Sequence, residues 1–273
     1  MKIAYIGIDL LKAALEELLL QGCEVMEIFS CRTDNKTEFN TWIAAKAQEL
    51  YVPFRLEPIE LQDLKRLKEQ GCEAVFCAGY YHRIPILPGF PMVNVHPAAL
   101  PLGRGAWPMP VTILKGLKES GVTLHKLTEG MDMGDILAQK VFAVSERENL
   151  ESFMEKSDEA IHQLLAQVTP DFMGCYHRAK PQEDYAKEGE KREGEYWKCP
   201  KEKDWTVTPD MSPEQIDRIF RAFYGYECLF LHDAKKYELI KASVVNQKPA
   251  PGRFCFEIRN GYYITAEKVE EII

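Results

Sequence analysis

Lys2-Ile3-Ala4-Tyr5-Ile6-Gly7 is a short apolar run, and behind it apolar residues recur at helical spacing from Leu10 to Leu20 until Gly22 stops them. This reads as strand, turn, helix. The stretch decides the fold because the same unit repeats. Glu24 to Ser30 reads as a strand, Asn40 to Leu50 as a helix, Pro53 to Leu56 as a short strand, Gln62 to Gln70 as a helix and Ala74 to Ala78 as a strand. Strands alternating with helices predict an α/β chain built on a Rossmann-like, mostly parallel sheet covered on both faces. Met92 to Val95, a helix over Pro108 to Lys118, and strands over Val122 to Leu127 and Ile136 to Val144 extend it. A helix from Leu150 to Thr169, with Phe153, Ile161, Leu164, Leu165 and Val168 at helical spacing, closes a first domain over 1–180.

From Arg178 to Lys203 the composition turns to Lys, Glu, Asp, Gln and Gly with few aliphatic residues, which predicts a solvated, charged linker over 181–204. Beyond it, Ser212-Pro213-Glu214 has the form of a helix start leading into Ile216 to Tyr224. Strand-like runs follow at Cys228 to His232, Tyr237 to Val245, Arg253 to Ile258 and Tyr262 to Thr265, with Gly252 and Asn260-Gly261 as turns. They predict a small β-rich, OB-like domain over 205–273.

The 273 residues are 46% hydrophobic and 28% charged, as in an ordinary globular chain, and the net charge of -8 presents a repulsive average field to a polyanion. No apolar run is long enough for a membrane span, and Met1 to Gly7 enters a strand at once instead of a leader, so a cytoplasmic location without membrane partners is expected. The eight cysteines form no C-x-x-C pair, which fits reduced thiols and no metal site. Gly7 follows the first strand, yet no G-x-G-x-x-G is present, and no NAD is expected.

The chemistry concentrates in Met92-Val93-Asn94-Val95-His96-Pro97-Ala98-Ala99-Leu100-Pro101-Leu102-Gly103-Arg104-Gly105. Alternation puts Asn94 and His96 on one face near the C-terminal end of a strand, where open α/β sheets build their sites. An amide N–H and an imidazole presented together can hold an oxyanion and move a proton. Asp132, in the Gly-punctuated loop Glu129-Gly130-Met131-Asp132-Met133-Gly134-Asp135, is the carboxylate such an imidazole needs. An N-x-H pair also serves as a structural pair, and a turn aspartate also bonds local backbone N–H groups. His125 reads as a substrate contact or as a surface or half-buried polar residue, Arg104 as a candidate substrate contact toward an anion, and Trp107 as a ring-stacking residue or, the better reading, a packed anchor for the following helix.

These residues resemble the 10-formyltetrahydrofolate-dependent formyltransferases, a family that includes enzymes acting on methionyl-tRNA, glycinamide ribonucleotide and nucleotide sugars. The family stretch N-x-H-P-S-L-L-P-x-x-R-G matches residues 94–105, G-V-T-x-H matches Gly121-Val122-Thr123-Leu124-His125, and L-D-x-G-D-I-L matches Met131-Asp132-Met133-Gly134-Asp135-Ile136-Leu137. The resemblance implies that Asn94 and His96 stabilise the oxyanion formed when an amine attacks a formyl carbon. It implies that Asp132 orients His96 and relays the proton. It implies a folate site using Tyr81, His82, Arg83, Ile84, Ala98, Ala99, Leu100, Pro101 and Glu129, with 10-formyltetrahydrofolate as co-substrate. The family's Ser-Leu is Ala98-Ala99 here, which removes a hydroxyl from that loop.

The transfer-RNA branch of that family carries a basic insertion after its second strand. Here Cys31-Arg32-Thr33-Asp34-Asn35-Lys36-Thr37-Glu38 is shorter and not strongly basic, and Trp205 to Ile273 holds nine Lys plus Arg against ten Asp plus Glu. A small primary amine such as a nucleotide-linked amino sugar is therefore the expected acceptor. The alternatives are a methionyl-tRNA formyltransferase, a formyltetrahydrofolate hydrolase and a non-catalytic folate-binding protein.

Overall fold

A computed structural model describes residues 1–35, 38–186, 194–250 and 254–272. In chain order its elements run β1 (Lys2–Gly7), α1 (Ala13–Leu20), β2 (Glu24–Phe29), α2 (Thr41–Glu49), β3 (Phe54–Arg55), α3 (Leu61–Glu69), β4 (Ala74–Ala78), β5 (Met92–His96), β6 (Leu102–Arg104), α4 (Pro108–Lys115), β7 (Glu119–Lys126), β8 (Ile136–Ala143), α5 (Leu150–Val168) and α6 (Phe172–His177). After these come β9 (Glu195–Tyr196), β10 (Thr206–Val207), α7 (Pro213–Ala222), β11 (Glu227–His232), β12 (Lys235–Ile240), β13 (Ser243–Val245), β14 (Phe256–Glu257), β15 (Tyr263–Thr265) and β16 (Lys268–Ile272).

The main sheet has seven strands in the order β3-β2-β1-β4-β5-β7-β8. Strands β1 to β5 pair in parallel and β7 runs antiparallel to β5. Burial on both faces explains why β1 and β4 read as continuous apolar runs and not as alternations. A buried cluster of Ala4, Ile6, Phe29, Leu64, Leu67, Val75 and Met92 fills the space between this sheet and α3. Gly7 lets β1 and β4 approach closely, since a Cβ there would lie 2.4 Å from the Ala78 carbonyl oxygen. Strand order reverses between β1 and β4, and at such a switch point the C-terminal strand ends open a crevice.

Contacts divide the chain into two compact units that interleave in sequence. The first is Met1–Gly105, Gly121–Phe142 and Lys156–Tyr196, and the second is Ala106–Ser120, Ala143–Glu155 and Trp197–Ile273. Helix α4, read above with the first domain, packs against α7 in the second unit. It is shorter than its pattern suggests, because Gly116 takes a left-handed φ of 64° and caps it. Trp107 sits against Phe223 and Tyr226, with ring centroids 5.6 and 5.0 Å apart, the anchoring role expected of it.

The second unit carries a four-stranded sheet, β10-β11-β12-β16, and a three-stranded sheet, β13-β15-β14. Helix α7 starts where Ser212-Pro213 predicts, with the Ser212 hydroxyl accepting from the Gln215 N–H at 3.2 Å. The run Tyr237 to Val245 is two strands in different sheets, because Lys241 turns the chain at a φ of 51°. Strand β16, which pairs with β12, was not anticipated. The Gly252 turn and the start of the run at Arg253 lie outside the described residues.

The stretch read as a charged linker has ordered ends within the first unit. Gln182 opens a short helical turn and is buried, and β9 pairs with β6 beside the loop that follows His96. Residues 187–193, between them, lie outside the described residues. Composition hid this because a saturated buried amide and a two-residue strand need no aliphatic neighbours.

Candidate active site

Strand β5 presents Asn94 and His96 on one face, and the antiparallel β7 places His125 opposite Asn94 and Thr123 opposite His96. Asp132 enters from the loop between β7 and β8, in a left-handed conformation with φ 52°. All of these side chains belong to the first unit. The loop can turn so tightly only because of Gly134, where a Cβ would fall 1.9 Å from the Lys126 carbonyl oxygen.

The partners assign the hydrogens. His96 Nε2 lies 2.8 Å from the Gly103 carbonyl oxygen, which can only accept, so Nε2 carries the proton and Nδ1 is left facing Asp132 Oδ1 at 3.7 Å. By the same reasoning His125 Nδ1 donates to the Lys126 carbonyl at 2.9 Å. Its Nε2 then accepts from the Asn94 amide at 3.3 Å. Asn94 Nδ2 also donates to Asp132 Oδ1, at 3.4 Å, while Asp132 Oδ2 accepts the Gly105 N–H at 2.9 Å. Both Asn94 bonds are long, so an incoming oxygen anion can replace either at little cost.

Burial pushes the His96 imidazole below its ordinary range, opposed by the Asp132 charge. Burial alone would raise the Asp132 carboxyl, but His96, His125 and the Gly105 N–H together hold it well below the usual carboxylate range. Near neutral pH the site therefore rests as a carboxylate beside a neutral imidazole whose lone pair faces it.

The loop from Ala98 to Pro101 is gripped from behind. Thr123 Oγ1 donates to the Ala98 carbonyl at 2.7 Å and accepts from the Leu100 N–H at 3.2 Å and from Gln139 Nε2 at 2.9 Å, and Gln139 also donates to the Leu100 carbonyl at 2.7 Å. These bonds stabilise the loop without the hydroxyl that Ala98-Ala99 lacks. Ala98 and Leu100 are buried, so this segment offers backbone more than side chains.

Among the other expected folate residues, Arg83 pairs with Glu129 and joins the segment after β4 to the loop of Asp132. Tyr81, Met131 and Met133 are exposed apolar side chains on those same two segments. Tyr80 accepts the Ile59 N–H at 3.2 Å and its ring meets that of His82 edge-on at 5.3 Å. Ile84 packs against the core cluster. Arg104 directs Nε and Nη2 to the Oε1 of Gln182, at 2.9 and 2.7 Å.

His125, Thr123, Gln139 and Gln182 are the participants that motif reading weighed too lightly or missed. The first two lie in Gly121 to His125, where the signal was pairing opposite Asn94 and His96. The two glutamines carried none. Among the described residues no cluster of His, Cys, Asp and Glu could hold a metal ion, and no helix is long and apolar enough to cross a membrane. A cavity of about 730 Å³ in the second unit mixes Arg147, Arg218 and Arg221 with Glu146, Glu214 and Asp217.

Residues 32–169 match the formyl transferase family. A methionyl-tRNA formyltransferase of Ehrlichia ruminantium is 34% identical over 137 residues, 49% of this chain and 45% of the relative, so the chain spans less than half the length of that curated relative. HypX from Aquifex aeolicus, solved in complex with tetrahydrofolic acid, superposes with a TM-score of 0.71 at 16% identity, covering all (100%) of this chain and 46% of its own. The N-formyltransferase from Helicobacter canadensis, solved with folinic acid and dTDP-3-aminofucose, gives a TM-score of 0.66 at 17% identity over 97% of this chain and 98% of its own. At these identities the two structures establish the fold.

Proposed function

The chain belongs to the formyl transferase family, and from that premise we propose that it is an N-formyltransferase that moves a formyl group from 10-formyltetrahydrofolate to a primary amine, favouring a small amine such as a nucleotide-linked amino sugar. The observation that carries the reading is the placement of His96, its Nε2 2.8 Å from the Gly103 carbonyl and its Nδ1 facing Asp132 beside the Asn94 amide.

The amine nitrogen attacks the formyl carbon, and the developing oxyanion takes an Asn94 N–H in place of one of that amide's long bonds. Nδ1 of His96 accepts the proton the amine loses, and the resulting imidazolium is stabilised by Asp132. The carbon–N10 bond then breaks, and the imidazolium returns the proton to the departing folate nitrogen. The folate lies between the segment of Tyr81 to Ile84 and the loop of Glu129 to Asp132, where Tyr81 and Met131 offer apolar surface to a planar ring.

The small-amine preference is supported by the short, weakly basic segment after β2 and by the near balance of charge in the C-terminal region. It is also supported by the likeness to the enzyme solved with dTDP-3-aminofucose. The second reading, transfer to methionyl-tRNA, is favoured by the sequence relatives. Labelled 10-formyltetrahydrofolate offered with dTDP-3-aminofucose and, separately, with methionyl-tRNA decides between them. Label in the sugar supports the first reading; label only in the RNA overturns it.

A further inference from the structure

Gln182 is 4% exposed, in a stretch whose composition predicts solvent. Its Nε2 donates to the Asp132 carbonyl at 2.7 Å and to the Gly134 carbonyl at 2.9 Å, and its Oε1 accepts from Arg104 Nε at 2.9 Å and Nη2 at 2.7 Å. Both hydrogens and both lone pairs of the carboxamide are used, a pattern no other side chain of this size reproduces. Glutamate has no hydrogen for the two carbonyls, and methionine has neither donor nor strong acceptor.

What the amide ties together is specific. Arg104 stands between Gly103, whose carbonyl holds His96 Nε2, and Gly105, whose N–H holds Asp132 Oδ2. Asp132 itself has a positive φ, which a side chain tolerates only where its surroundings hold it. The far end of the same stretch reinforces the grip, because β9 pairs with β6 and the Glu195 N–H donates to the Pro101 carbonyl at 3.1 Å.

We propose that Gln182 is a positioning residue, which through the Asp132 and Gly134 carbonyls on one side and Arg104 on the other sets the Asp132 carboxylate against His96. The role in turnover rests on the formyl-transfer reading, whereas the placement of Asp132 is testable without it. Arg104 then acts through Gln182 and not as the anion contact its sequence position suggests.

Two variants of the full chain, Gln182→Met and Gln182→Glu, test this alongside Asp132→Asn. Histidine-labelled protein followed by ¹⁵N NMR against pH reports the midpoint of His96 in each. Loss of the nearby charge should lower that midpoint in Asp132→Asn, and Gln182→Met should shift it in the same direction, whereas Gln182→Glu brings a carboxylate of its own that opposes this shift and is therefore read by its kinetics. With 10-formyltetrahydrofolate and whichever amine the wild type formylates, kcat should fall about a hundredfold, the loss typical of a misplacement near 1 Å, while KM for the folate stays within about threefold. The glutamate variant keeps the side-chain volume and the Arg104 contact if the methionine variant fails to fold. A His96 midpoint equal to wild type in a folded Gln182→Met variant, or kcat intact in either folded variant, would overturn the proposal. A wild type that formylates no amine would sink the formyl-transfer reading and leave the NMR comparison to decide the role of Gln182.

Discussion

With its Nε2–H committed to Gly103, His96 exchanges protons only at Nδ1, and the form that accepts one from an amine is the neutral imidazole. In the proposed reaction, raising the pH through the His96 midpoint therefore switches activity on. Burial places that midpoint below the ordinary value of 6.5, so kcat should climb below that value and be level by neutral pH. A pH–kcat profile measures this; an acidic limb centred above 6.5 would point to another group. Stability follows the same sense. A histidine with a depressed folded-state midpoint stabilises the protein above its unfolded value, and that contribution is lost as pH falls through the folded one. At the same scale, Asn94→Ala removes the proposed oxyanion donor. Transfer should fall by about a hundred- to a thousandfold, with folate affinity, read by fluorescence titration, little changed.

At the scale of elements, the loop after β5 depends on one hydroxyl. Thr123→Val keeps the shape, but strands the Leu100 N–H and takes a donor from the Ala98 carbonyl, so unfolding by urea should report a loss of about 1–3 kcal/mol. A loss under a few tenths would mean the loop is held otherwise. Elements like β1, α1, α5 and α7 were legible because each is a run of apolar residues at one period with a recognisable stop or cap. Asn94 and His96 were legible for the same reason, lying two apart on a strand. What composition and period could not convey was the return of the chain. Gln182 and β9 reach the site from a polar stretch, and the break at Lys241 depends on a backbone angle with no residue signature. His125 gained its place from strand pairing, which alternation along a single strand does not encode.

At the scale of the molecule, the net charge of -8 bears on the acceptor. Binding of a small amine releases few counterions, so KM for the acceptor should change by less than about tenfold between 50 and 200 mM salt, whereas grip on a transfer RNA would weaken steeply. Steady-state kinetics across that range checks it. The central claim, that Asn94, His96 and Asp132 carry out formyl transfer, meets its most direct test in one assay. Wild type and His96→Ala are each incubated with formyl-labelled 10-formyltetrahydrofolate and dTDP-3-aminofucose or methionyl-tRNA, and the labelled products are separated. The account predicts an N-formyl amine from the wild type and a loss of about a thousandfold in His96→Ala with folate still bound. Labelled formate as the sole product, or an unchanged rate in His96→Ala, would contradict it.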